Sequence, residues 1–167
     1  MTEEQLDTLI THMQIAKQDN VLLPKVPLNL FKALNAFVSL PVVEVILVDN
    51  QRRVLLTYRH DEDWNGWHIP GGFMGYTESI PAACSRIALK ELGIDCTFTQ
   101  VVHASAWENR HPYGAPVSIF CKCSVSDVKP LQDGTFFESC PKDTIAFHKD
   151  FLKQHWEQLT AEAYCVN

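Results

Sequence analysis

No apolar run in this 167-residue chain reaches the ~20 residues that span a bilayer. Basic residues are scarce and scattered, 14 Lys and Arg against 20 Asp and Glu, for a net charge of −6. A nucleic-acid surface needs clustered Lys and Arg and is therefore not expected. The 6 cysteines form no C-x2-C pair and have no matching histidine cluster, which argues against a zinc site. Nor is there an internal repeat, a low-complexity stretch or a linker that would divide the chain. The acidic, amphipathic N-terminus MTEEQLDTLITHM has none of the character of a secretion signal. A reducing cytoplasm is the expected compartment, with the thiols as small core residues.

What is present suits one domain over residues 1–167, with an apolar fraction of 46%. Two helical patterns come first. Leu6, Leu9, Ile10 and Met13 fall at helical spacing, as do Leu30, Phe31, Leu34 and Phe37. They read as a helical extension over 1–40, ahead of a core over 41–167. VVEVILV (42–48) is β-branched and bounded by Pro41 and Asp49, hence a strand. RVLLTYR (53–59) follows a short turn and is expected to pair with it as a hairpin. Residues 79–92 are helical, with Ser79 as N-cap, Pro81 in the first turn and Gly93 as the left-handed stop. Residues 97–107 and 116–125 read as strands, and 148–163 as a final helix. Cys121 and Cys123, two apart, should share one strand face. Mixed strands and helices of this kind point to an α/β or α+β layered fold.

The stretch GGFMGYTESIPAACSRIALKELGI (71–94) resembles the Nudix box, G-x5-E-x7-R-E-U-x-E-E-x-G-U with U a bulky aliphatic. Gly72, Glu78, Arg86, Glu91, Gly93 and Ile94 match it at the right spacing. Ile87 and Lys90 stand where the pattern has glutamates. The reduced form G-x5-E-x7-R-x4-E-x-G, found in the GDP-mannose mannosyl hydrolase branch, is matched in full. The resemblance covers roughly residues 24–125. It implies an α/β/α sandwich with a mixed sheet, and the box as strand–loop–helix. It also implies hydrolysis of a nucleoside diphosphate derivative such as a nucleotide sugar, with Mg2+ or Mn2+ as cofactor and with a homodimer as a recurrent assembly.

Residue by residue, the resemblance puts the metal on Glu91 and the Gly71 carbonyl. Glycine there lets backbone approach a cation and phosphate closely. It puts the pyrophosphate on Arg59 and Arg86, and gives Glu78 a supporting hydrogen bond. Lys90 is either a solvent-facing helix residue or a positive charge in place of a second cation. Phe73 stands where the branch has an arginine, and the branch's histidine base has no counterpart in LQDGTFFESCPKD (131–143). The candidates for that base are Glu138 or Asp133, His103, and His111 in the polar loop WENRHPYGAP (107–116). Trp64 and Trp67 are candidates to stack on a nucleobase, and Tyr113 is a further substrate contact. His68 is expected to hydrogen-bond within a short strand. The alternative reading is a non-catalytic nucleotide- or protein-binding module.

Overall fold

A computed structural model describes residues 2–18, 26–108, 110–125 and 133–161. The helices are α1 (Glu3–Gln18), α2 (Leu28–Phe37), α3 (Ile80–Leu92) and α4 (Ala146–Ala161). The strands are β1 (Pro41–Ile46), β2 (Val54–His60), β3 (Asn65–His68), β4 (Gly71–Phe73), β5 (Thr97–Ala106), β6 (Val117–Ser124) and β7 (Thr135–Phe137). One sheet has the order β4-β1-β6-β5, with β1 and β6 parallel and the other pairs antiparallel. A second, β3-β2-β7, is antiparallel throughout. The mixed sheet and the two helical layers fit the expected sandwich.

The period of two along β1 and β6 decides what each helix covers. Val43, Val45, Cys121 and Cys123 join Ala83, Ile87 and Leu92 of α3 in one core cluster. Ile46 and Phe120 turn the other way and meet Phe147, Phe151 and Leu152 of α4. Phe120 and Phe151 stack with ring centroids 3.7 Å apart. The cysteine expectation holds: Cys84, Cys96, Cys121 and Cys123 are buried thiols without disulfides. Cys165 lies outside the described residues.

The box folds as its punctuation predicts. Ser79 Oγ accepts from the Ala82 N–H at 3.4 Å, and Gly93 ends α3 at φ 70° with its N–H on the Leu89 carbonyl. The expected hairpin forms only next to its turn: Val48 bridges Val54 antiparallel, the Leu55 N–H donates to the Leu47 carbonyl and the Asp49 N–H to the Arg53 carbonyl, while β1 itself takes β4 and β6 as partners and β2 belongs to the second sheet. The turn tightens on Asp49, whose carboxylate accepts the N–H groups of Gln51 and Arg53, with Arg52 at φ 63°. Beyond it the strands splay, because β1 finds longer pairings inside the mixed sheet. The strand β7, at Thr135–Phe137, is not foreseen by the residue pattern. Nothing in α1 is buried, whereas α2 buries Phe31 and Asn35.

Candidate active site

One cavity of about 540 Å³ opens where β1, β2, β4, the end of α3, the loop after β5 and α4 meet. Gly71 and Gly72, at the start of β4, line it. A Cβ at Gly71 would lie 2.0 Å from Glu44 Oε2 and 3.2 Å from the Val43 carbonyl oxygen, so a side chain there would displace the Glu44 carboxyl. Gly72 lies over Ile87, whose side chain would be 3.5 Å from such a Cβ. Ile87 is only 1% exposed, a core residue of the α3 cluster. The missing glutamate at that position is thus a filled apolar site.

Glu91 lines the cavity at the last turn of α3. Burial pushes its carboxyl up to about 7, with the charge of Glu44 adding to the rise, while Lys90 and the Gly71 backbone pull it down. Lys90 is exposed and also lines the cavity. Arg59 reaches the rim from β2, holds Asp61 in an ion pair and lies 5.8 Å over the Trp64 ring. Arg86 is committed elsewhere. Its Nε and Nη2 donate to Glu78 at 2.7 and 2.8 Å, and Nη2 donates to the Phe73 carbonyl at 3.0 Å. Glu78 also accepts the Gly75 N–H at 2.8 Å. This pair ties down the loop between β4 and α3, as the resemblance implies for Glu78. Arg86 itself lines an adjoining groove with Phe31 and Tyr113 rather than the main cavity.

The aromatic wall departs from expectation. Trp64 faces the cavity, packed on Trp107 at 5.6 Å and His111 at 5.3 Å. Trp67, one strand position from the cavity-facing His68, turns away to Tyr58 at 5.0 Å and Phe137 at 4.7 Å. Trp67 therefore does not contact the cavity, because adjacent strand residues face opposite sides. Trp64 Nε1 is buried without a partner among the described residues. Tyr113 lines the adjoining groove and donates its hydroxyl to Asp63, joining the two loops that border the cavity.

His111 lines the cavity, and burial lowers its pKa to about 4. Its Nδ1 accepts the Tyr113 N–H at 3.1 Å, so the neutral ring carries its proton on Nε2. That is a donor, not a free base. Glu138 does not line the cavity. It is exposed, and it follows Phe137, which pairs with Val54 at the end of β2 remote from Arg59. Asp133, before β7, does line the cavity. His103 lies between β5 and α4, against Phe151 and His155. His68 does bond within its strand region: Nε2 is 3.1 Å from Thr57 Oγ1 and Nδ1 is 2.8 Å from the Ile69 carbonyl oxygen. Burial, with His148 nearby, lowers its pKa to about 4.

Residue-by-residue reading of the sequence missed Glu44, Ser118, Trp107 and His148. Glu44 is 2% exposed. Its Oε1 accepts from Ser118 Oγ at 2.7 Å and lies 3.3 Å from His148 Nε2. Ser118 in turn accepts the Trp107 indole N–H at 2.9 Å. His148 Nδ1 accepts the Ile69 N–H at 3.1 Å, which leaves Nε2 as the nitrogen that donates to Glu44. A signal for Glu44 was available, namely a single acid inside the apolar run VVEVILV.

A family profile described as NUDIX domain matches residues 38–156. The chain belongs to the NUDIX family. It is 30% identical over 130 residues to Nucleoside diphosphate-linked moiety X motif 6 of Xenopus laevis, covering 75% of this chain and 52% of that one. The chain spans about half the length of the curated relatives it matches. Among solved structures, the MutT protein of Methanosarcina mazei Go1 superposes with a TM-score of 0.63 at 14% identity, covering 74% of this chain and 96% of that one. The NUDIX domain of Shewanella oneidensis NrtR, complexed with ADP ribose, gives 0.56 at 20% identity, with 74% and 90% covered. These likenesses carry the NUDIX fold. Within it, no group of three or more His, Cys, Asp or Glu side chains suited to a metal occurs among the described residues.

Proposed function

We propose that this NUDIX chain hydrolyses a nucleoside diphosphate derivative with Mg2+, and that the substrate is a nucleotide sugar. The observation that carries the reading is the convergence of Glu91, the Gly71 turn and Arg59 on one cavity walled by Trp64. The donor set fits the cation. Mg2+ keeps several waters and takes only one or two carboxylates besides substrate phosphates. Glu91, whose charge is opposed by burial, is suited to such a neutralising partner. Glu91 and the Gly71 carbonyl would hold the ion, which would neutralise phosphate oxygens and so assist departure of the leaving group. Arg59 would exchange Asp61 for the pyrophosphate, and Trp64 would offer its ring face to a base or sugar. Arg86 and Glu78 would act only by holding the Gly72–Ser79 loop in place.

The test is turnover of nucleotide sugars and dinucleotides with Mg2+ or Mn2+, beside Glu91→Gln. Loss of about 100-fold or more in kcat is expected for that variant, and unchanged turnover would sink the assignment. Release of a free sugar rather than a sugar phosphate identifies cleavage at carbon.

A second reading, a nucleotide-binding module without turnover, draws on the engagement of both arginines by Asp61 and Glu78. Saturable ligand binding with no product under the same assay would favour it. For assembly, Leu6, Leu9, Ile10 and Met13 of α1 are 42–51% exposed and form the face through which a homodimer would pair. A monomer mass by light scattering at high concentration would refute that arrangement.

A further inference from the structure

We propose that Glu44, from β1, supplies the second carboxylate of the metal site that the box helix no longer carries, and that His148 and Ser118 are the positioning residues that hold it there. The inference rests on the metal-dependent reading above and adds to it a ligand from outside the box.

Four observations carry it. First, register: Glu44 pairs directly with Gly71 across β1 and β4, so its carboxyl arrives at the glycine whose backbone meets Glu91. Second, the two oxygens are unequal. Ser118 and His148 both engage Oε1, while Oε2 lies against Gly71, and no hydrogen bond among the described residues uses it.

Third, the donors on Oε1 are themselves anchored. Trp107 Nε1 fixes Ser118, and the Ile69 N–H fixes the His148 ring, so the carboxyl plane is set from behind. Chains of this sort orient metal-ligating groups. Fourth, close approach is built into the glycine. With Oε2 2.0 Å from where a Cβ at Gly71 would stand, a side chain there would push the carboxyl from its place. The box helix offers no competing ligand, because Ile87 is sealed under Gly72 and Lys90 carries the wrong charge. Two carboxylates and a backbone carbonyl leave positions for water and substrate phosphate, as Mg2+ prefers.

The experiment is Mn2+ binding to the full chain without nucleotide, read from the loss of the free-ion electron paramagnetic resonance signal. Glu44→Gln and Glu91→Gln are each expected to weaken binding at least tenfold. His148→Ala is expected to weaken it about tenfold, with His148→Gln, which retains an amide donor at the Nε2 position, recovering most of the affinity. Wild-type affinity in Glu44→Gln together with loss in Glu91→Gln would overturn the role of Glu44 while leaving the metal reading intact. Wild-type affinity in both would remove the metal reading itself. If circular dichroism shows Glu44→Gln unfolded, Ser118→Ala decides: a severalfold weakening supports the proposal, and unchanged affinity overturns it.

Discussion

The two faces of the mixed sheet are built by opposite rules. Toward α3, the strand residues are Val43, Val45, Cys121 and Cys123, packed on Ala83, Ile87 and Leu92 without a charged side chain in the cluster. Toward α4, the same strands present Glu44 and Ser118, bonded to His148 and Trp107, beside the stacked Phe120 and Phe151. One strand therefore carries a dry wall and a polar one on alternate residues. The lesson concerns the box. Its helix has given one acidic position to the dry wall, as Ile87, while the sheet has placed an acid on the wet one. The Glu44 carboxylate is held on that wall by Ser118 of β6 and His148 of α4.

The comparison breaks most sharply if the family glutamate is restored. Ile87→Glu would bury a carboxyl in the cluster of Ala83, Leu92 and the thiols, which offers no donor stronger than S–H. It should cost about 4 kcal/mol by urea denaturation. A loss below about 1 kcal/mol would mean the face is not dry. Leu92→Ala, on the same face and fully buried, should cost about 3 kcal/mol through its cavity alone.

Glu91 sits where the faces meet and allows a test through pH. Its folded pKa of about 7 lies above the ordinary carboxyl value of 4.5, so the folded, metal-free chain binds this proton more tightly than the unfolded one. Stability from this group is full below about 4.5 and is lost as pH rises through 7. Glu91→Gln removes that loss. In chelator-treated protein it should be more stable than wild type at pH 8, by on the order of 2 kcal/mol, and indistinguishable at pH 4. Equal stability of the two at pH 8, by thermal unfolding, would contradict the buried environment of Glu91.

The smallest effect belongs to the loop clamp. The guanidinium of Arg86, with the Gly75 N–H, holds Glu78 below its ordinary carboxylate range. The stability it contributes is present at neutral pH and is lost as pH falls through that lowered pKa. Because Arg86 is one-third exposed, Glu78→Gln should cost only about 1 kcal/mol at pH 7. A larger loss in chemical denaturation would place the clamp in the core rather than at its edge.

The box helix was legible because its signals are local. Ser79, Pro81 and Gly93 act on their own backbone within one turn, and Gly72, Glu78, Arg86 and Glu91 lie on a single strand–loop–helix. Arg59, which the resemblance pointed to, and His111, in a polar loop, both line the cavity. Trp67 was misread because adjacent residues on a strand face opposite sides, and the sequence does not state which side β3 turns to the cavity. Glu138 was misread for the same kind of reason. Its distance from Arg59 depends on the antiparallel register of β7 on β2, and a three-residue strand announces neither.

The sequence by itself determined the family, the caps and course of the box helix, and the two apolar periods that cover the sheet. Those follow from interactions spanning a few residues, or from alternation along one strand. Only tertiary structure decided where the charge removed from the box is made up. Glu44 and His148 are 104 residues apart and meet because parallel pairing of β1 with β6 brings α4 over the even-numbered face of β1. A buried acid is stable only where its donors arrive, and their arrival is a property of topology rather than of spacing.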